Sequence, residues 1–146
     1  MPSVTVTHRY AHPPEKVFDA WLNPDLARRF LFTTETGEVV RCDIDPRVGG
    51  RYTIVDRRPP NDEYLPDGGD IEHVGEYLEI DRPRRLVFTF GVPQFQPGFT
   101  RVTVEIAPDG NGCRLTLTND DVPAEWTEPN RGGWTMILGS LARELG

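Results

Sequence analysis

Apolar and polar residues alternate in seven segments of the chain, with the period of two that is typical of β-strands with one buried face. The segments are residues 4–10, 40–44, 52–55, 71–80, 86–90, 102–106 and 115–119. Stretches rich in polar residues, proline and glycine separate them, and Pro108-Asp109-Gly110-Asn111-Gly112 before the last segment is a hairpin signal. The alternation therefore predicts an antiparallel sheet of seven strands.

The end of the chain changes to a helical period. Trp134, Ile137, Leu138, Leu141 and Leu145 recur at helical spacing and form one apolar stripe. A long amphipathic helix that follows a run of strands needs a sheet to bury such a stripe. We therefore expect a curved sheet that wraps around this helix, an arrangement that can leave a cavity between the two.

Two shorter helices are predicted after the first strand. Pro14-Glu15 opens the first helix, and Asn23-Pro24-Asp25 breaks the pattern before the second. Because no repeat or linker divides the chain, we predict one α+β domain over residues 1–146. Its element order is strand, two short helices, six strands and the long helix.

The pattern leaves the orientation of one strand open. One face of residues 71–80 carries Val74, Glu76, Leu78 and Ile80, and the other carries His73, Gly75, Tyr77 and Glu79. Residues 56–70 and 91–98 form polar loops that we expect at a rim of the sheet. Phe95 and Trp126 lie in polar segments, where they form a lid, a partner contact or a local staple.

Composition and charge exclude several classes of protein. The formal net charge is −7, which argues against nucleic-acid binding and against a polybasic membrane site. The chain begins without the basic and apolar regions of a signal peptide and contains no apolar run of membrane-spanning length, so we expect a cytoplasmic protein. Cys42 and Cys113 are then expected to be reduced and buried. Without a nucleophile motif, phosphate-binding loop or metal-ligand spacing, we expect no cofactor and no metal.

Several motifs, taken in order, carry a resemblance to a known family. They are Val17-Phe18-Asp19-Ala20-Trp21, Pro24-Asp25-Leu26-Ala27-Arg28-Arg29-Phe30, Gly49-Gly50-Arg51-Tyr52, Gly75-Glu76-Tyr77-Leu78-Glu79-Ile80, Pro83-Arg84-Arg85-Leu86-Val87-Phe88-Thr89-Phe90, Leu115-Thr116-Leu117-Thr118 and Gly133-Trp134. The set resembles the START-like superfamily, also called SRPBCC. Within it, the chain is similar to the branch named after the C-terminal domain of the heat-shock chaperone ATPase activator (AHSA-type).

This resemblance covers nearly the whole chain and implies a helix-grip fold with a hydrophobic cavity between the sheet and the last helix. Members of the superfamily bind lipids, sterols, hormones or polyketide intermediates, and some catalyse cyclisation or hydroxylation. The seventh strand departs from the family pattern, because it ends in Thr118-Asn119 where members often carry Thr-His. An amide can only hydrogen-bond, so this departure weakens the case for acid–base catalysis.

The candidate ligand-binding residues are inward-facing polar and aromatic positions, together with the inner face of the last helix. They are His8, Trp21, Phe30, Tyr52, Tyr77, Glu79, Phe88, Phe90, Asn119, Trp134, Ile137, Leu138 and Leu141. Asp56, His73 and Phe32 share these properties. The polar residues either anchor a ligand in an apolar pocket or are core or rim groups whose hydrogen bonds are made within the protein. The aromatic rings either line a cavity or fill it.

Three of the polar candidates allow more specific predictions. His8 and Asn119 lie on the first and last strands, which are expected to be neighbours, so the two side chains would share a wall. Glu79 either points into the cavity, where its carboxyl group would hold a proton or a cationic ligand, or is a solvated residue paired with Arg82 or Arg84.

Three functions are compatible with the predicted fold and these candidate residues. The favoured one is binding of a small hydrophobic molecule, lipid-like or polyketide-like, without covalent chemistry. The second is a cyclase or hydrolase that uses Glu79, His8 or Tyr77 as acid or base. The third is a co-chaperone-like module that presents its sheet face or loops to a protein partner, with a homodimer as a further form of association.

Overall fold

The computed structural model describes residues 2–146. Its strands are β1 (Val4–Tyr10), β2 (Glu38–Ile44), β3 (Arg51–Arg58), β4 (Gly69–Asp81), β5 (Arg85–Phe90), β6 (Thr100–Asp109) and β7 (Gly112–Asp120), and its helices are α1 (Pro14–Ala20), α2 (Pro24–Phe30) and α3 (Thr127–Leu145). One turn of 3₁₀ helix, Ala124–Trp126, precedes α3. The predicted element order is confirmed.

The seven strands form one antiparallel sheet in the order β1-β7-β6-β5-β4-β3-β2. Strands β2 to β7 are each paired with their neighbours in sequence, and β1 joins at the far edge beside β7. The segment that contains α1 and α2 therefore carries the chain from one edge of the sheet to the other. This architecture confirms the predicted helix-grip-like α+β fold.

The core lies between the inner face of the sheet and the apolar stripe of α3. Trp134, Leu138 and Leu141 of that stripe are buried in one cluster with side chains from β3 to β7. The hydroxyl group of Tyr10 donates a hydrogen bond to the carbonyl oxygen of Leu138 at 2.8 Å. Burial raises the pKa of Tyr10, so this hydroxyl stays a donor that ties the first strand to the middle of the last helix.

A β-bulge in β4 answers the question of which face points inward. The pairing of β4 with β5 shifts between Tyr77 and Glu79, so Leu78 is an extra residue and is 43% exposed. Because side chains alternate with a period of two, one extra residue exchanges the faces. Before the bulge His73 and Tyr77 are buried, and after it Ile80 packs on the core while Glu79 turns outward.

Glu79 therefore belongs to the outer face of the sheet, and its expected partners were wrong. Its Oε2 atom lies 3.1 Å from Nε of Arg85, the residue that opens β5. Arg82 pairs instead with Asp19, at 2.7 Å. The carboxylate is thus a half-exposed surface group in an ion pair.

Candidate ligand-binding cavity

A cavity of about 650 Å³ opens between the first half of α3, the inner face of β4 and β5, and the loops at one end of the sheet. Its aromatic wall consists of Phe32, Tyr64, His73, Phe90, Phe95, Trp126 and Trp134, and its main aliphatic residues are Ile71, Val92, Val122, Met136 and Ile137. Sites for small molecules typically occupy ~300–1,000 Å³ and are lined mostly by such side chains. The cavity has the size and the lining of a small-molecule site.

Phe32 lies at the centre of the aromatic wall. Its ring stacks on His73 with centroids 4.6 Å apart and on Phe90 at 5.0 Å, and Trp134 meets it edge-on at 5.6 Å. Phe32 follows α2 with φ 58°, a left-handed conformation that is uncommon for a residue with a side chain. Ring packing on three sides offsets a backbone strain of roughly 1–2 kcal/mol.

His73 contributes an aromatic face to this wall and no charge. Burial lowers its pKa to about 4, although a hydrogen bond to the carbonyl oxygen of Ile54, 3.2 Å from Nδ1, acts in the opposite direction. Because a carbonyl oxygen only accepts, Nδ1 carries the proton of the neutral ring. The imidazole is therefore uncharged at neutral pH.

Asn119 is fully buried and positions several of the wall residues. Its Oδ1 accepts hydrogen bonds from Nε1 of Trp134 at 3.2 Å and from Nδ2 of Asn130 at 2.9 Å, and its Nδ2 donates to Oγ1 of Thr100 at 2.8 Å. An indole N–H only donates, which fixes the orientation of the amide. Asn130 uses its Nδ2 in this network, but its Oδ1 is buried and has no hydrogen-bond partner among residues 2–146.

A buried charge cluster anchors the loop between β3 and β4 at the mouth of the cavity. Arg58 donates from Nε to Asp56 and from Nη1 to Asp62 at 3.0 Å. Asp56 is fully buried and also accepts a hydrogen bond from the hydroxyl group of Thr33 at 2.7 Å. Burial alone would raise the pKa of Asp62, but hydrogen bonds from two backbone amides and from Arg58 lower it. The guanidinium group is thus held between two carboxylates.

Three aromatic rings from three different segments meet at the rim. Tyr64 lies between β3 and β4, Phe95 between β5 and β6, and Trp126 just before α3. The centroid distances are 6.0 Å between Tyr64 and Phe95, 6.3 Å between Tyr64 and Trp126, and 6.4 Å between Phe95 and Trp126. We call these three residues the rim triad, and all three line the cavity.

The structure brings together only part of the predicted site. Phe90, Trp134 and Ile137 line the cavity, and Asn119 supports it from behind. Seven other predicted residues are Trp21, Phe30, Tyr52, Tyr77, Phe88, Leu138 and Leu141, and all seven belong to the packed core. A void of about 10 Å³, about the size of one water molecule, is lined by four of them (Trp21, Tyr52, Tyr77 and Phe88) together with Leu31 and Leu86. These seven side chains fill the space between sheet and helix.

The remaining two predicted residues lie away from the cavity. Glu79 is on the outer face of the sheet, and His8 stacks on the ring of Tyr10 with centroids 4.4 Å apart. Strand β1 does pair with β7, but the register places His8 opposite Leu115 and Asn119 opposite Val4. His8 and Asn119 therefore do not share a wall.

Sequence reasoning missed the wall residues that come from loops and from the start of α3. Tyr64, Asn130 and Gly133 were not among the predicted site residues, and all three line the cavity. A signal was present, because Phe95 and Trp126 are large aromatic residues in otherwise polar segments. The cavity lies one to two turns closer to the N-terminus of α3 than the apolar stripe suggested.

A helix-grip-like α+β domain with a cavity between its sheet and its C-terminal helix is the class of protein that these features define. Residues 11–146 match the family described as "Activator of Hsp90 ATPase homolog 1-like protein", and the chain belongs to this family. This assignment confirms the resemblance to the AHSA-type branch and is consistent with SRPBCC membership. A comparison with curated protein sequences gives no significant match.

Solved structures share the fold over nearly the whole chain. Protein CV1439 from Chromobacterium violaceum is 24% identical, with a TM-score of 0.82 over 98% of this chain and 96% of that chain. The AHSA1-like protein from Aeromonas hydrophila is 21% identical, with a TM-score of 0.82 over 99% and 92%. CalU16 from Micromonospora echinospora is 20% identical, with a TM-score of 0.71 over 99% and 76%. At these identities the likeness is one of fold.

Within residues 2–146, no helix has the length and apolar character needed to cross a membrane. The same residues contain no group of three or more His, Cys, Asp or Glu side chains arranged to hold a metal ion. Cys42 and Cys113 are free thiols; Cys113 is buried, and Cys42 is partly exposed.

Proposed function

We propose that this protein binds a small, mostly hydrophobic molecule in the cavity beside the first half of α3, without covalent chemistry. The observation that carries the proposal is the cavity itself, about 650 Å³ of space with seven aromatic residues in its wall. A domain whose role is only to present its outer surface gains nothing from such a space, because apolar side chains left facing water forgo the stability of burial.

The polar groups around the cavity suit binding better than acid–base catalysis. His8, Tyr77 and Glu79, the residues considered as acid or base, are not among those that line it. His73 does line it, but its lowered pKa leaves the ring almost unable to take up a proton at neutral pH. The buried, unpaired Oδ1 of Asn130 is a polar group of the kind that orients a ligand in an apolar site.

A pair of glycines in α3 supports a binding role. Gly132 and Gly133 line the cavity, and a Cβ atom at either position would meet no other atom within 4 Å. Glycine inside a helix costs about 1 kcal/mol relative to alanine. These two positions thus forgo helix stability on a turn of α3 that lines the cavity, where an added Cβ atom would stand in open space.

The test uses the matched variants Gly133→Leu and Gly139→Leu. Gly139 lies in the same helix but outside the cavity, where the nearest atom to an added Cβ is Nη1 of Arg143 at 3.9 Å. Both substitutions are expected to stabilise the helix by about 1 kcal/mol, or roughly 2–4 °C in Tm. We expect only Gly133→Leu to weaken binding of the fluorescent apolar probe N-phenyl-1-naphthylamine, because its side chain extends into the cavity.

The expected loss of affinity in Gly133→Leu follows from the apolar area of the cavity wall that the leucine covers. A leucine that covers about 60 Å² of apolar wall removes about 1.5 kcal/mol of ligand contact, which is roughly a tenfold increase in Kd. Saturable binding with one probe per chain, weakened about tenfold by Gly133→Leu and unchanged by Gly139→Leu, supports the proposal. Absence of saturable binding, or equal Kd values in the two variants, contradicts it.

A further inference from the structure

We infer that the ligand carries a positively charged amine, and that the rim triad and the neighbouring carboxylates hold this group at the mouth while the apolar body fills the cavity. This inference rests on the proposed function and adds the chemical class of the ligand. It depends on two independent features of the mouth, the arrangement of its aromatic rings and the balance of its charges.

The geometry of the rim triad fits a cation. The centroids of Tyr64, Phe95 and Trp126 are 6.0, 6.3 and 6.4 Å apart, so they form a nearly equilateral triangle. A cation seated above the centre of this triangle comes within about 5 Å of all three centroids, inside the ~6 Å reach of a cation–π interaction. The three rings come from three separate segments and line the cavity, so they form a shared surface at its mouth.

The charged groups at the mouth carry a negative excess. Arg58, Asp62 and Glu63 are the charged side chains that line the cavity, and Asp56 lies directly behind them. The guanidinium group of Arg58 is already engaged by Asp56 and Asp62, which leaves the carboxylate of Glu63 unbalanced. An anionic ligand would therefore meet carboxylates at the entrance, whereas an ammonium group would be attracted to them.

The rim triad and the carboxylates lie close to each other. Glu63 and Tyr64 are adjacent in the chain, and both side chains line the cavity. His73, at the other end of the aromatic wall, is neutral and adds no opposing charge. An amine at the mouth thus meets aromatic rings and a carboxylate in the same part of the cavity lining.

The test uses three probes with one common body, 4-phenylbutylamine, 4-phenylbutan-1-ol and 4-phenylbutanoate, titrated at pH 7 by isothermal calorimetry. The expected order of affinity is amine, then alcohol, then carboxylate, with the amine at least about tenfold tighter than the alcohol. Trp126→Leu and Glu63→Gln should each reduce the ratio of amine affinity to alcohol affinity several-fold. Tyr64→Phe keeps the ring and should keep the preference.

The outcomes separate the inference from the proposed function. If the alcohol or the carboxylate binds as tightly as the amine, the cavity is a binding site but the inference is wrong. If the preference for the amine survives both Trp126→Leu and Glu63→Gln, the assignment of the rim triad and Glu63 is wrong. If no probe binds and N-phenyl-1-naphthylamine does not bind either, both the proposed function and the inference fail.

Discussion

His73 makes the stability of this protein depend on pH in a way that one substitution removes. Burial lowers its pKa from 6.5 to about 4. Between these two values the unfolded chain binds a proton at this residue and the folded protein does not, so the free energy of unfolding falls as the pH falls. Well above pH 6.5 the ring is neutral in both states and contributes no pH dependence.

The size of the effect follows from the shift of the pKa. At about 1.4 kcal/mol per pKa unit, the full loss is about 3 kcal/mol, and it is complete only below about pH 4. Between pH 7 and pH 5 the expected loss is about 2 kcal/mol. His73→Phe keeps a ring that stacks on Phe32 and removes the titrating group, so its stability should lack this part of the pH dependence.

Urea unfolding at pH 7, 6 and 5, followed by tryptophan fluorescence, measures the difference. The wild-type protein should lose about 2 kcal/mol more than His73→Phe between pH 7 and pH 5, with unchanged m-values. Every other titratable group is present in both proteins, so its contribution cancels in the comparison. Parallel stability curves for the two proteins would refute the assignment of a buried, neutral His73.

Three further substitutions test the groups around the cavity. Asn119→Ala should lower the free energy of unfolding by roughly 2–4 kcal/mol, because it leaves the buried indole N–H of Trp134 unpaired and opens a small cavity. Arg58→Met should cost roughly 3–5 kcal/mol, because it leaves the fully buried carboxylate of Asp56 without its main partner. Glu79→Gln should change stability by less than about 1 kcal/mol and leave probe binding unchanged, because this residue is a half-exposed ion-pair partner on the outer face.

Matched surface controls show whether these costs are specific to burial. Asn111→Ala removes an exposed amide in the β6–β7 hairpin, and Arg41→Met removes an exposed guanidinium that pairs with Asp43 at 2.5 Å. Both should change the free energy of unfolding by less than about 1 kcal/mol in urea titrations. A cost for Arg58→Met no larger than that for Arg41→Met would contradict the role of the buried cluster.

The sequence predicted the sheet and the last helix because both depend on local patterns. Alternation with turn residues between the segments marked all seven strands, and the stripe of Trp134, Leu138 and Leu141 marked α3. The bulge at Leu78 left no such local signal, because whether a strand contains an extra residue depends on the register of its neighbour. The inward orientation of Glu79 consequently stayed open in the sequence, although the bulge turns this residue to the surface.

The cavity was harder to predict than the fold, since most of its wall is built by tertiary contacts between loops. Phe32 reaches the centre of the wall only through a left-handed backbone conformation, which neither propensity nor periodicity indicates. Tyr64 is placed by a loop that the pairing of Arg58 with Asp56 and Asp62 holds in position. Aromatic residues in the core and aromatic residues in a cavity wall have the same periodicity, so Phe88 and Phe90 could not be distinguished from the sequence.

Native mass spectrometry of the protein purified from its own cells tests the central claim most directly. Wild-type protein and Gly139→Leu are expected to carry the same small molecule, seen as an added mass that is lost on denaturation, and Gly133→Leu is expected to have the mass of the chain alone. Unliganded masses for all three proteins, or the same added mass on Gly133→Leu, would contradict the account of α3 and the sheet as the walls of a ligand-binding cavity.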